Sequence, residues 1–160
     1  MANPGKLKAI ARAGVGVDNI DIPEATRKGV IVMNTPGGNT LSAAEHTMAL
    51  MLALSRNVVP ACNSLKSGAW DRKKYMGNQL SGKVLGLIGL GRIGMSVAKM
   101  AKGFDMEILG YDPIAAPADA EKLGVEATND LERIFKEADY ISVHIPRNEQ
   151  TLNMIDAEQS

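Results

Sequence analysis

Cysteine is nearly absent from this sequence. Cys62 is the single cysteine among 160 residues, so no disulfide can form within the chain and no second thiolate is available to help hold a zinc ion. This composition favours a reducing, cytoplasmic setting and predicts no metal site. Cys62 lies in a helical stretch and is interpreted as a small buried hydrophobic residue rather than as a nucleophile.

An excess of charge of either sign is absent as well. Eighteen Lys and Arg residues balance eighteen Asp and Glu residues, which leaves a formal net charge of +0 at pH 7. A chain without an overall positive field has no general attraction for nucleic acid or for an anionic membrane surface. We therefore expect neither of them as a partner.

Long apolar runs are missing too. The longest unbroken run covers residues 48–54, far fewer than the roughly 20 residues that a transmembrane helix needs. The N-terminal stretch MANPGKLKAI has no apolar segment typical of a signal peptide. A soluble protein is expected, with one domain or pieces of two.

What is present is an alternation of short apolar runs and amphipathic segments. This alternation is typical of a parallel sheet covered by helices, and so predicts an α/β fold. Strands are expected at residues 7–11, 30–33, 84–90, 107–111 and 140–145. The runs at 30–33, 84–90 and 140–145 are predicted to be buried.

Capping residues indicate where the helices begin. Asp21 and Ser42 are each followed three positions later by a glutamate, which is the spacing of a capping box. Asp130 is expected to cap a third helix. The helix that opens at Ser42 is apolar on nearly every face through residue 54 and is predicted to be buried. A further helix is expected over residues 57–66, followed by a loop over 70–83.

Three glycines follow the strand at 84–90. Gly89, Gly91 and Gly94 match G-x-G-x-x-G between a strand and a helix. There the first glycine allows the tight turn, the second lets a pyrophosphate approach the backbone, and the third allows close packing of helix and strand. The amide N–H groups at the start of the helix then face an anion. The alternative is a glycine-rich turn used for packing alone.

Asp112 ends the next strand, eighteen residues after Gly94. A carboxylate at this position can accept both ribose hydroxyl protons of the adenosine, and it repels the 2′-phosphate of NADP. Since the following PIAAPA contains no arginine, NAD is the expected cofactor. Taken alone, Asp112 would be interpreted as a turn residue before Pro113. Ile145 and Pro146 are expected near the cofactor, because ligands of such sheets gather at the carboxyl ends of strands.

These residues resemble a known family. The stretch GNQLSGKVLGLIGLGRIG, with RAGVGVDNID and NTPGGNTLSAAEH before it and ADYISVHIP after it, is similar to the D-isomer-specific 2-hydroxyacid dehydrogenases over essentially the whole chain. The resemblance implies a truncated, doubly wound Rossmann-like domain together with part of a second, flavodoxin-like substrate domain. Residues 1–38 would be the C-terminal part of the substrate-binding domain, and residues 39–160 the N-terminal part of the NAD-binding domain.

The resemblance also implies roles for individual residues. The AGVG loop would offer backbone N–H groups of Gly14, Val15 and Gly16 to a substrate carboxylate, with Arg12 close enough to assist. On the cofactor side it implies contacts from Val15 at the nicotinamide, Arg92 and Ile93 at the phosphates, Asp112 at the ribose and Ile145 beside the adenosine.

The activity implied by the resemblance is the NAD-dependent oxidation of a D-2-hydroxy acid, with D-3-phosphoglycerate of serine biosynthesis as the expected substrate. The catalytic arginine, glutamate and histidine of the family are expected beyond the C-terminus, so the chain alone is expected to be inactive. His46 and His144 are interpreted as hydrogen-bonded packing residues.

A second hypothesis is a noncatalytic NAD-binding or interaction module, because relatives of this family act as corepressors. Under either hypothesis, unpaired strand edges and the apolar helix that opens at Ser42 predict a homo-oligomer.

Overall fold

The computed structural model describes residues 5–114, 118–148 and 151–155. The chain divides into two compact units, Met1–Leu41 and Ser42–Ser160. This division lies close to the predicted domain boundary after residue 38. The assignment of the first unit to a substrate-binding domain stays a prediction.

The first unit is a β-α-β element. Strands β1 (Ala9–Ala11) and β2 (Ile31–Met33) pair in parallel and are connected through helix α1 (Ile22–Arg27). The carboxylate of Asp21 accepts a hydrogen bond from the Glu24 N–H at 2.9 Å, which confirms the predicted cap.

The prediction of a buried strand at residues 30–33 is wrong for β2. The side chains of Ile31 and Met33 are 62% and 49% exposed. Helix α1 packs against this strand on one side, and no described element of the first unit covers the other side. An apolar sequence does not show which face of the strand will be covered by another element.

The second unit contains a four-stranded parallel sheet with the order β5-β4-β3-β6. In chain order its strands are β3 (Val84–Ile88), β4 (Glu107–Tyr111), β5 (Val125–Thr128) and β6 (Tyr140–Val143). The predicted α/β class with a parallel sheet is confirmed. Strand β5 is missing from the sequence prediction, because its alternating VEAT pattern is too short to stand out.

Helices cover both faces of this sheet. Leu85 and Leu87 of β3 share a buried cluster with Val97 of helix α4 (Arg92–Lys102). Ile88 shares a second cluster with Ile134 of helix α5 (Leu131–Glu137). Strand β3 is therefore buried on both faces, as predicted, and the architecture is that of a doubly wound sheet.

The prediction of a buried strand at 140–145 is wrong. Strand β6 ends at Val143 and pairs with β3 alone among the described strands. The side chains of Ile141 and Val143 are 41% and 47% exposed. Apolar composition correctly indicated a strand here, but its position at the edge of the sheet is decided by contacts with distant residues.

Helix α2 (Thr40–Ser55) starts two residues before the predicted cap, so Ser42 lies inside the helix rather than at its N-cap. Its buried residues are on one face, at Ala44, Met48, Met51 and Ser55. The expectation of a wholly buried helix is wrong, because Leu50 and Leu54, which lie outside this face, are 58% and 73% exposed.

Helix α3 (Val58–Lys66) contains no buried residue. Cys62 on this helix is exposed, as is His46 on α2, so the expectation that both are packing residues is wrong. Within the described residues, no helix combines the length and the apolar character needed to cross a membrane.

Candidate cofactor-binding site

The glycine motif lies in the turn between β3 and α4. Gly89 has a φ of +100°, a conformation that side chains rarely adopt. A Cβ on Gly89 would also lie 2.8 Å from the His144 carbonyl carbon and 2.9 Å from Ile145 Cγ2. Conformation and packing therefore both require glycine here, in agreement with the tight turn expected at this position.

Gly94 is required by packing alone. A Cβ at this position would overlap the carbonyl oxygen of Gly89, because the first turn of α4 lies directly against the glycine turn. The expected close approach of helix and strand is present.

Gly91 is different from the other two glycines of the motif. It is the N-cap of α4 with a φ of −69°, an ordinary conformation for any residue. A Cβ built at this position would meet no atom within 4 Å among the described residues. Neither backbone strain nor protein packing explains the glycine. An open space in front of bare backbone is what a bound pyrophosphate requires.

The first turn of α4 provides donors around this space. Backbone N–H groups at the start of a helix have no intrahelical acceptor, and the helix dipole gives this end a partial positive charge. Arg92 and Ile93 are the first two residues of α4, and the Arg92 side chain is exposed. Their position agrees with the contacts to phosphate that the family resemblance implies.

Asp112 is held at the glycine turn by two hydrogen bonds. Its Oδ2 accepts from the Leu90 N–H at 2.8 Å, and its Oδ1 accepts from the Ile114 N–H at 3.0 Å. The second bond is the turn contact expected of an aspartate two residues before its donor. The first bond spans 22 positions and fixes the carboxylate beside the predicted pyrophosphate site. Asp112 therefore combines a local turn contact with a contact to the glycine motif.

The segment that follows β6 also contacts the glycine turn. Gly89 approaches Ile145 so closely that no Cβ fits between them, and Ile145 packs on the second core cluster. Pro146 follows directly, and its carbonyl oxygen accepts a hydrogen bond from Thr151 Oγ1 at 2.6 Å. The structure thus brings Ile145 and Asp112 to the glycine motif from two different strands.

His144 lies at the end of β6. Its Nε2 is 2.9 Å from Ser142 Oγ, and burial lowers the pKa of its imidazole. Among the described residues, no ion pair or hydrogen bond joins His144 to a carboxylate. This arrangement agrees with the interpretation of His144 as a hydrogen-bonded packing residue.

The predicted substrate residues lie in the first unit, in the loop after β1. Arg12 donates from Nη1 to Asn19 Oδ1 at 2.7 Å, and Asn34 donates from Nδ2 to the Val15 carbonyl oxygen at 2.8 Å. Asn19 and Asn34 were not identified from the sequence. The signal that could have found Asn34 is its position directly after β2, since polar residues at the carboxyl ends of parallel strands meet at one edge.

Comparisons with known proteins identify the class of this chain. Residues 48–159 match the family model described as the NAD binding domain of D-isomer specific 2-hydroxyacid dehydrogenase. The chain belongs to this family and carries its NAD-binding domain, which confirms the cofactor predicted from the glycine motif and Asp112.

Two relatives of the chain are D-3-phosphoglycerate dehydrogenases. The chain is 53% identical over 154 residues to D-3-phosphoglycerate dehydrogenase of Methanocaldococcus jannaschii, covering 96% of this chain and 29% of the relative. It is 51% identical over 149 residues to the enzyme of the same name from Archaeoglobus fulgidus, covering 93% of this chain and 28% of the relative. The chain thus spans less than a third of the length of these relatives.

Solved structures agree with this result. A D-lactate dehydrogenase from Aquifex aeolicus, complexed with NAD and lactic acid, superposes with a TM-score of 0.86 at 34% identity. The match covers 96% of this chain and 46% of that one. The Rossmann-like fold is therefore shared with a family member whose structure contains the cofactor.

Proposed function

We propose that this protein takes part in the NAD-dependent oxidation of a D-2-hydroxy acid and that the substrate is D-3-phosphoglycerate. Identities of 53% and 51% to D-3-phosphoglycerate dehydrogenases support the choice of substrate. The noncatalytic NAD-binding module is the alternative, and no observation in the described residues favours it.

The open space at Gly91 is the observation that most directly supports the proposed cofactor site. In this proposal the pyrophosphate lies against Gly91 and the first-turn N–H groups of Arg92 and Ile93. Asp112 accepts hydrogen bonds from the adenosine ribose at the glycine turn, where the Leu90 and Ile114 N–H groups position its carboxylate. When bound, the nicotinamide supplies the acceptor for the hydride that leaves C2 of the hydroxy acid.

Asp112 supports a preference for NAD over NADP. A second negative charge at the ribose 2′ position would face a carboxylate that is already held in place by two backbone N–H groups. The sequence from Pro113 to Ala118 contains no arginine to neutralise that charge. Residues 115–117 of this stretch lie outside the described residues.

The substrate side of the proposal uses the loop after β1. Its backbone N–H groups at Val15 and Gly16 would bind the substrate carboxylate, and the Arg12 guanidinium adds a positive charge near Gly14. The Gly14 N–H, which the resemblance also assigned to the substrate, donates instead to the Arg12 carbonyl oxygen at 2.9 Å. This part depends on the family resemblance and on the local geometry of the first unit.

Calorimetric titration with NADH and NADPH tests the cofactor site. Wild type should bind NADH at least about tenfold more tightly than NADPH, and Gly91→Ala should weaken NADH binding by about tenfold or more, because a Cβ would occupy the pyrophosphate space. Gly103→Ala, at the other end of α4 with a φ of −67°, is the matched control. Equal affinity for both nucleotides, or unchanged NADH affinity in Gly91→Ala, contradicts the proposed site.

A turnover assay separates the enzyme from the noncatalytic module. A protein that contains this chain together with the catalytic arginine, glutamate and histidine of the family should reduce NAD in the presence of D-3-phosphoglycerate. This chain alone should bind NADH without turnover, because proton transfer needs a positioned acid-base group. NADH binding without turnover in that longer protein would support the noncatalytic module instead.

A further inference from the structure

The loop after β1 is held from one side by residues that follow β2. Asn34 Nδ2 donates to the Val15 carbonyl oxygen at 2.8 Å, and the Thr35 backbone N–H donates to the Gly14 carbonyl oxygen at 3.1 Å. Two consecutive carbonyl groups of the loop are therefore bound by two consecutive residues.

Peptide planarity then determines where the N–H groups of the loop point. The described residues contain no cis peptide bond, and in a trans peptide the C=O and N–H groups point in opposite directions. Because the Gly14 and Val15 carbonyls face residues 34 and 35, the N–H groups of Val15 and Gly16 face away from them. Within the described part of the chain, neither N–H group has a hydrogen-bond acceptor.

Adjacent backbone N–H groups that point to the same side form a concavity suited to an anion. The charged side chains nearby nearly balance each other. Arg12 Nε lies 3.7 Å from the position that a Cβ on Gly14 would take, and Asp18 Oδ2 lies 2.9 Å from the corresponding position on Gly16. With one cation and one anion beside the loop, binding of an anion depends on the direction of the N–H groups more than on net charge.

We infer that Asn34 is the positioning residue for these two N–H groups. Its side-chain amide holds the peptide between Val15 and Gly16 in the orientation that directs the Gly16 N–H away from residues 34 and 35. Thr35 acts through its backbone, so Asn34 is the one side chain of the pair whose replacement can release the loop. The inference rests on the proposed function, because it takes the ligand to be the carboxylate of a D-2-hydroxy acid.

Nuclear magnetic resonance of the ligand-free chain tests the positioning role without any ligand. In wild type the Val15 and Gly16 amides should have backbone order parameters near 0.85, and in Asn34→Ala the Gly16 value should fall toward about 0.6. Asn34→Asp should behave like Asn34→Ala, because an ionised carboxylate has no proton to donate to the Val15 carbonyl. Asn63→Ala, which removes an exposed asparagine from α3, is the control and should leave both values unchanged.

Titration with D-3-phosphoglycerate then tests the consequence for binding. The Val15 and Gly16 amide resonances of wild type should shift with added ligand, and Asn34→Ala and Asn34→Asp should bind about tenfold more weakly. NADH affinity should be the same in all four proteins, which a general loss of folding would not allow.

These experiments distinguish a wrong positioning role for Asn34 from a wrong substrate. If wild type responds to D-3-phosphoglycerate but Asn34→Ala keeps either its Gly16 order parameter or its affinity, the positioning role is wrong and the proposed substrate stands. If the wild-type amides of Val15 and Gly16 do not respond to the hydroxy acid, the substrate part of the proposed function is wrong, and the inference is overturned with it.

Discussion

At the scale of single residues, the three glycines of the motif differ in what their surroundings require of them. Gly89 is required by a positive φ and by contact with the chain after β6, and Gly94 by contact with the Gly89 carbonyl. Gly91 has neither constraint, which agrees with the proposed pyrophosphate contact at this position. The same residue type thus has structural roles at Gly89 and Gly94 and a proposed binding role at Gly91.

Replacement by alanine should separate these roles. Gly94→Ala should lower the free energy of unfolding by about 3 kcal/mol, the upper end of overpacking effects, because a backbone oxygen cannot move aside without displacing the turn. Gly91→Ala should cost only about 0.5–1 kcal/mol, since alanine is a poorer N-cap than glycine. Urea unfolding of both variants measures the difference. Equal stability of the two variants would contradict the close contact between Gly94 and Gly89.

Protonation of His144 should destabilise the fold. Burial lowers its pKa in the folded state below the ordinary value of about 6.5, so the unfolded chain binds the proton more tightly. The contribution of neutral His144 is fully present above pH of about 6.5 and is lost as the pH falls from there through the folded-state pKa.

Unfolding measured between about pH 7 and pH 5 tests this prediction. Wild type should lose stability more steeply than His144→Gln over this interval. His46→Gln, a change at an exposed histidine, is the control and should follow wild type. Parallel curves for wild type and His144→Gln would show that His144 is not protected by burial.

At the scale of elements, the Asp139 carboxylate joins the starts of β3 and β6 through hydrogen bonds. Asp139 Oδ2 accepts from the Val84 N–H at 2.9 Å, and Oδ1 accepts from Lys83 Nζ at the same distance. These two donors, the backbone N–H first, lower the pKa of Asp139. The contact fixes the end of the edge strand where β6 enters the sheet.

Asp139→Asn should therefore lower the melting temperature at neutral pH. The stabilisation is present above the unfolded-state value of about 3.8 and is lost as the pH falls through the lower folded-state pKa, so the difference from wild type should shrink in acid. Asp71→Asn, at an exposed aspartate in the loop before β3, is the control. A melting temperature equal to that of wild type at pH 7 would exclude a stabilising role for this tie.

At the scale of the whole molecule, one region of the second unit exposes several neighbouring apolar side chains. Leu50 and Leu54 of α2 line a groove with Ile141 and Val143 of the edge strand, and each of these side chains is at least 41% exposed. Neighbouring exposed apolar side chains are typical of interaction sites. The predicted homo-oligomer would cover it.

Light scattering at about 10–100 µM protein should detect a dimer or larger species, as expected for micromolar association. Leu54→Lys should shift the protein toward the monomer, because a charge would be desolvated in the interface. Ile114→Lys changes an even more exposed apolar side chain, at 91%, and should leave the mass unchanged. A wild-type monomer across this range would exclude self-association through the groove.

The sequence by itself determined the features that depend on neighbours within a few residues. These are the alternation of strands and helices, the caps at Asp21 and Asp130, and the strand-glycine-helix motif with Asp112, which together indicated the fold class, the cofactor and the family. Local conformation and motif spacing depend on residues that are close in sequence. They can therefore be recognised without knowing which helices and strands contact each other.

Only the tertiary structure decided which surfaces are covered and which donors each side chain finds. It placed β6 at an edge, exposed one side of α2, and joined Asp112 to Leu90 and Asp139 to Lys83 across 22 and 56 positions. Burial and hydrogen bonding between distant residues depend on how whole elements pack, and the apolar run at 140–145 does not by itself distinguish an edge strand from a central one. For the same reason the hydrogen bond from Asn34 to Val15 became visible only once β1 and β2 were side by side.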